Sequence, residues 1–243
     1  MENFLILHYI CKSQRYKKQA KDIMKRRIIT LLMIVPFLVS SCGNNQSKKG
    51  ESNEQIKEET IDMEKKLAFA PESLPEEPIF EIITSEGTIT VLLYKDTPLH
   101  RDNFVKLASE SFYDGILFHR VINGFMIQTG DPLTKDPANA PKFGTGGPGY
   151  TVPAEFVAEH NHKKGALAAA RLGDMANPKR ASSGSQFYIV QDERTCAQLD
   201  GAYTVFGETL DGFEVIDKIA SVQTDQRDKP VKEIKIITIK PVI

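Results

Sequence analysis

Residues 118–131 read FHRVINGFMIQTGD, with one histidine and one arginine inside an apolar run and a glutamine shortly before Gly130-Asp131. Two short strand-like pieces flank a glycine-bearing turn. Successive strand side chains point to opposite faces. Arg120 therefore faces away from His119, and Met126 faces away from Phe125 and Ile127. Arg120 and Gln128 can reach one surface while apolar neighbours fill the interior. Polar groups on an apolar floor are a common composition for a ligand site. The stretch supplies no serine, cysteine or paired carboxylate to act as a nucleophile.

The same pattern continues on both sides. IFEIIT and TITVLLY are strand-like runs joined by Ser85-Glu86-Gly87, a hairpin signal. Thr97-Pro98 predicts a helix start, with Thr97 as cap and Leu99, Phe104, Leu107 and Ala108 on one face. ILFHRV, FMIQT, ALAAA, QFYIV and YTVF are further short strands between glycine-bearing turns. Asp211-Gly212 starts a second helix, whose apolar face is Phe213, Val215, Ile216 and Ile219. EIKIITIK alternates to the end of the chain. Many short strands with two widely separated helices predict a mainly β fold, a closed eight-stranded antiparallel barrel capped by two helices.

Several motifs do not carry the function they suggest. Gly144, Gly146 and Gly149 fit G-x-G-x-x-G, but Pro148 and Pro153 leave no helix start to receive a phosphate. Glu155, Glu159, His160 and His162 lie in a polar stretch that reads better as a solvated turn than as a metal site. Ser185 in SSGSQF lacks a neighbouring base in sequence and the G-x-S-x-G pattern. His119 is expected to make a structural hydrogen bond. Cys196 is expected to be a packing residue. The net charge of −1 and the absence of basic runs interleaved with aromatics argue against nucleic-acid binding.

Four segments, FHRVINGFMIQTGD, GTGGPGY, ASSGSQFYIV and LDGAYTVFG, occur in the order and spacing of cyclophilin-type peptidyl-prolyl isomerases. The resemblance covers residues 79–243. It implies a proline-containing polypeptide substrate, no cofactor and no metal. It places the catalytic arginine at Arg120, the proline pocket at Phe125, Met126, Tyr188 and Leu199, and a substrate-anchoring glutamine at Gln128. Backbone near Ala170 and Arg171 would bind the peptide beside the proline. The sequence departs from the family at Gln198, where a tryptophan is usual, and at Tyr203, where a histidine is usual. The first departure implies weak inhibition by cyclosporin; Tyr203 can still supply an aromatic wall. The run RLGDMANPKRA alters the loop beside the peptide groove. The rival expectation is a non-catalytic proline-peptide-binding module or holdase.

The N-terminal third reads differently. Met24-Lys25-Arg26-Arg27, the apolar run Ile28 to Val39 and Ser40-Ser41-Cys42-Gly43 form the three-part layout of an export signal. That run is too short to span a bilayer, which takes roughly 20 residues. LVSSC resembles a bacterial lipobox, which implies lipidation at Cys42 and a mature chain of 42–243. Translation is expected to start at Met24 rather than Met1. Residues 43–78 hold five basic against nine acidic residues and three prolines within 71–78. Such composition favours disorder, so 42–78 is expected to be a lipidated, largely disordered tether following a signal segment of 1–41. The expected location is the cell envelope, on the outer membrane facing the periplasm. A monomer is expected.

Overall fold

The computed structural model describes residues 67 to 242. The signal segment, Cys42 and most of the expected tether lie outside the described residues. Among the described residues, ten strands and three α-helices occur in the order β1 (Ile79–Thr84), β2 (Gly87–Leu93), α1 (Pro98–Ser109), β3 (Arg120–Ile122), β4 (Met126–Thr129), β5 (Thr151–Val152), β6 (Ala166–Ala169), β7 (Ser182–Ser183), β8 (Phe187–Val190), α2 (Glu193–Cys196), β9 (Val205–Asp211), α3 (Phe213–Ala220) and β10 (Ile236–Pro241). Eight strands form one sheet in the order β10-β1-β2-β9-β6-β8-β4-β3, while β5 and β7 pair separately. Every ladder is antiparallel.

Pleat alternation divides the apolar residues between two clusters. Phe80, Ile82, Ile89, Val91, Val121, Ile127, Leu167 and Ile189 enter the main core inside the curl, with Phe104 and Leu107 from α1 and Ile216 and Ile219 from α3. Their neighbours Met126, Ala168, Tyr188, Val190 and Val205 point the other way, into a second cluster under the opposite face. Register shifts within β1, β2 and β6 add local twist and help the sheet curl.

The closed barrel expected from the sequence is corrected: the sheet curls into a half-barrel whose edge strands, β3 and β10, share no ladder. Strand β3 has only three residues. Just before it, Gly115 and Phe118 donate to the Ile236 and Ile234 carbonyls, at 2.8 and 2.9 Å, around one isolated Leu117–Lys235 bridge. Pairing between the two edges goes no further than this bridge. On the side away from it, the Leu117 N–H donates to Thr134 Oγ1 and its carbonyl accepts from Thr129 Oγ1, at 2.9 and 3.0 Å.

Three further expectations need correction. Thr97 does not cap α1. Glu155, 56 residues away from Leu99, accepts the Leu99 and His100 N–H groups at 3.0 Å each. A carboxylate there also favours the positive end of the helix dipole. Leu99 is half exposed rather than on the buried face. The last part of the expected tether packs on the domain: the Phe69 and Phe80 rings lie 5.7 Å apart, and the Ala68 N–H donates to the Ser109 carbonyl. The one-turn α2 is a helix the sequence pattern did not indicate. Among the described residues, no helix is long and apolar enough to cross a membrane.

The glycine loop after β4 cradles a carboxylate of its own chain. Asp131, fully buried, accepts backbone N–H bonds from Leu133, Gly144 and Gly146. A Cβ at Gly146 would sit 2.1 Å from Asp131 Oδ1, so glycine is required there. Asp131→Ala strands three donors and should lower unfolding free energy by about 2–4 kcal/mol. Urea denaturation checks this; an unchanged midpoint would remove Asp131 as the anchor of the loop.

Candidate active site

Register builds the floor of the site. Arg120 pairs with Gln128, Gln128 with Tyr188, and Tyr188 with Ala168. Cross-strand partners share a face, so these four form a row across β3, β4, β8 and β6, spaced roughly 4.8 Å per strand. Ile122, Met126 and Val190 form the adjacent row on that face. The intervening row, Val121, Ile127, Ile189 and Leu167, points into the core.

Phe125 enters from the turn between β3 and β4. Gly124 takes a left-handed φ of 76° there, which a larger residue adopts only with strain. The turn is fixed to the segment carrying α2. The Phe125 carbonyl accepts from the N–H groups of Gln191 and Asp192 and from the Cys196 thiol at 3.3 Å. Cys196 is fully buried, and burial pushes its thiol up to about 11, consistent with a packing role.

A cavity of about 310 Å³ lies over this floor. Its lining brings together all nine residues expected from the sequence: Arg120, Phe125, Met126, Gln128, Ala170, Arg171, Tyr188, Leu199 and Tyr203. Met126 and Tyr188 are buried, with Phe125, Leu199 and Tyr203 partly buried against the same cluster. Gln198 is exposed and donates to the Thr195 carbonyl.

The aromatic wall is held by polar groups behind it. His162 Nε2 lies 2.9 Å from the Tyr188 hydroxyl, and its Nδ1 lies 2.6 Å from Asp200 Oδ1. With the carboxylate as acceptor, Nδ1 carries the proton and Nε2 accepts from the tyrosine. The Arg171 guanidinium stacks 4.3 Å from the Tyr203 ring centroid and donates to the Ala202 and Leu172 carbonyls and to Asp174. Arg171 thus contributes a braced side chain to the lining. The Ala170 N–H and carbonyl are already paired with Gln186 and Ser183; only a spare lone pair on that carbonyl remains for a ligand.

Gln186, which sequence reasoning passed over inside SSGSQF, orders the glutamine expected to anchor substrate. Gln128 Nε2 donates to Gln186 Oε1 at 3.1 Å, and Gln186 Nε2 donates to the Gly144 and Gly146 carbonyls. Gln128 Oε1 is thereby turned away from Gln186. Arg120 Nε lies 3.8 Å from Asp228 Oδ2, and its side chain is 44% exposed. Ala140, Phe143, Gly144, Arg227 and Lys229 complete the lining, together with His119. Contrary to expectation, neither ring nitrogen of buried His119 meets a hydrogen-bond partner. Burial lowers its pKa below the ordinary imidazole value.

The other motifs resolve into structural contacts. Glu155 engages α1 and His100, His160 pairs with Asp96 at 2.7 Å, and His162 pairs with Asp200. Among the described residues no His, Cys, Asp and Glu cluster could hold a metal. Ser185 Oγ is buried and donates to the Gly130 carbonyl at 2.7 Å.

Residues 79–241 match the family model described as cyclophilin type peptidyl-prolyl cis-trans isomerase. A peptidyl-prolyl cis-trans isomerase of Arabidopsis thaliana is 36% identical over 175 residues, covering 72% of this chain and 98% of its own length. One from Synechococcus elongatus is 38% identical over 156 residues, 64% of this chain and 93% of its own. The crystal structure of a cyclophilin type isomerase from Cryptosporidium parvum superimposes with a TM-score of 0.60 at 31% identity, covering 68% of this chain and 97% of that one. The chain belongs to the cyclophilin-type peptidyl-prolyl cis-trans isomerase family.

His100, His119 and His162 are all held below the ordinary imidazole pKa, in each case chiefly by burial. As pH falls through about 6.5, the unfolded chain gains protons that these sites resist. Stability is therefore expected to be full above that pH and to fall between pH 7.5 and 5.5. Urea midpoints at the two pH values check it; an equal or higher midpoint at pH 5.5 would contradict the neutral, buried placement.

Proposed function

We propose that this cavity accelerates cis–trans rotation about X-Pro bonds, with Arg120 as the catalytic residue. The observation that carries the reading is the convergence of Arg120, Gln128 and the apolar cup of Phe125, Met126, Tyr188 and Leu199 on one cavity. A proline peptide suits it. The Cryptosporidium relative has a crystal structure in the presence of the dipeptide Ala-Pro.

The X-Pro bond resists rotation because the nitrogen lone pair is shared with the carbonyl, giving a barrier of roughly 18–20 kcal/mol. Midway through rotation that sharing is lost and the lone pair becomes available. A donor that meets it only then stabilises the twisted state selectively. Arg120 can do this: Asp228 sits beside Nε, leaving the Nη donors for the cavity. The apolar cup grips the pyrrolidine ring while the Gln128 carboxamide oxygen accepts from flanking backbone N–H, so one side of the bond turns against the other. No bond to the protein forms or breaks.

In the full chain, this domain acts on exported and envelope proteins as a monomer, held by lipid at Cys42 to the outer membrane on its periplasmic side. The support for that setting is the order of basic, apolar and LVSSC segments. Multiple acyl chains would make such an anchor stable. Labelled palmitate incorporation that survives in the parent and disappears in Cys42→Ala tests the anchor; incorporation in both would exclude Cys42.

A charge-assisted hydrogen bond contributes about 1.5–3 kcal/mol, and each 1.36 kcal/mol is tenfold in rate. Because Arg120 is partly exposed, Arg120→Ala should lower kcat/KM on a short Ala-Pro peptide by roughly ten- to a hundredfold, and Arg120→Lys by less. NMR exchange or protease-coupled kinetics checks this. Full activity in Arg120→Ala would remove it from the mechanism, and peptide binding without acceleration by the parent would reduce the site to a binding module.

A further inference from the structure

We propose, on the reading that the cavity holds an X-Pro segment, that it selects segments carrying an aspartate or glutamate side chain near the proline, through Arg227 and Lys229. Four cations line the cavity, Arg120, Arg171, Arg227 and Lys229, and no carboxylate does. The chain as a whole carries a net charge of −1. The positive character therefore belongs to this place and not to the molecule.

Two of the four cations are already committed. Arg171 is held by Asp174 and by carbonyls, and Arg120 has Asp228 beside it. Arg227 and Lys229 flank Asp228 in sequence and have no ion-pair partner among the described residues. Arg227 is exposed; Lys229 Nζ lies 5.2 Å from the centroid of the Phe143 ring, which also lines the cavity. The acid nearest them in sequence besides Asp228 is Asp225. Its Oδ1 accepts the Arg227 and Lys229 backbone N–H groups at 2.8 and 3.0 Å. That carboxylate bonds to the turn's backbone, and the two side chains are near enough to help hold it below the ordinary carboxyl pKa.

The turn itself is fixed. The Asp225 N–H donates to the Lys229 carbonyl at 2.8 Å, the Asp228 N–H to the Asp225 carbonyl, and Val121 of β3 to the Asp228 carbonyl at 2.7 Å. Asp228 adopts a left-handed φ of 60° to allow this. Two cations are thus presented beside Arg120 by a braced loop. Charges of one sign over a low-dielectric wall focus the local field. His119, which also lines the cavity, is held below the ordinary imidazole pKa chiefly by burial.

The test uses paired short peptides, X-Ala-Pro-Ala and Ala-Ala-Pro-X with X as Glu or Gln, which differ only in charge. Both kcat/KM and Kd are read by NMR, near 20 mM and near 500 mM salt, where screening lengths are roughly 20 and 4 Å. For at least one position, Glu is expected to be favoured about tenfold at low salt, with the preference shrinking at high salt. In the Arg227→Glu, Lys229→Glu double variant the Glu-to-Gln ratio should fall below one, a comparison internal to each variant. Equal kcat/KM and Kd for Glu and Gln at both positions, or an unchanged ratio in the double variant, would overturn the proposal. Discrimination in Kd without acceleration of either peptide would leave the preference standing and remove the isomerase reading instead.

Discussion

The site depends on the register of one antiparallel ladder. Because Arg120 lies opposite Gln128 and Gln128 opposite Tyr188, a cation, an amide and an aromatic stand in line on one face. Val121, Ile127 and Ile189, one residue along each strand, fill the core. A slip of a single residue would exchange the two sets, burying Arg120 and exposing the core. The register that stabilises the half-barrel is thus the same register that assembles the cavity.

The remaining walls are loops, and buried polar groups hold them. Asp131 gathers the glycine loop, Gln186 ties that loop to Gln128, and the Asp200–His162–Tyr188 chain fixes the aromatic wall. Each carboxylate here serves geometry rather than acid–base chemistry, as a reaction without proton transfer to substrate allows. The ring of His119 is the exception, a buried group in the cavity lining whose nitrogens meet no partner at hydrogen-bond geometry.

Much of this was legible in the sequence because strand periodicity is local. FHRVINGFMIQTGD announces both strands and the faces of Arg120, Met126, Ile127 and Gln128, but His119 and Phe125, expected opposite Arg120 and Met126, lie just outside the strands and line the same cavity as both; the apolar stripe Val215, Ile216, Ile219 announces α3. What was not legible depended on contacts across the chain. Glu155 capping α1 replaced the local signal of Thr97-Pro98, because a charged acceptor from another loop outcompetes a hydroxyl whose partner is the Tyr94 carbonyl. Closure of the barrel stops at the isolated Leu117–Lys235 bridge, a contact between the two ends of the sheet that no local pattern marks. Arg227 and Lys229 reach the cavity from more than 100 residues beyond Arg120, and no spacing rule marks them. Gln186 was hidden in a motif read for its serines.

The catalytic claim is that a cationic fork and an apolar cup lining one cavity untwist an amide without covalent chemistry. Its most direct test is NMR of the labelled protein saturated with an Ala-Pro peptide. The expected result is exchange broadening confined to Arg120, Phe125, Met126, Gln128, Tyr188 and Leu199, at the rate measured for the peptide's own cis–trans interconversion. Peptide interconversion at the uncatalysed rate, or broadening centred on another surface of the domain, would contradict it.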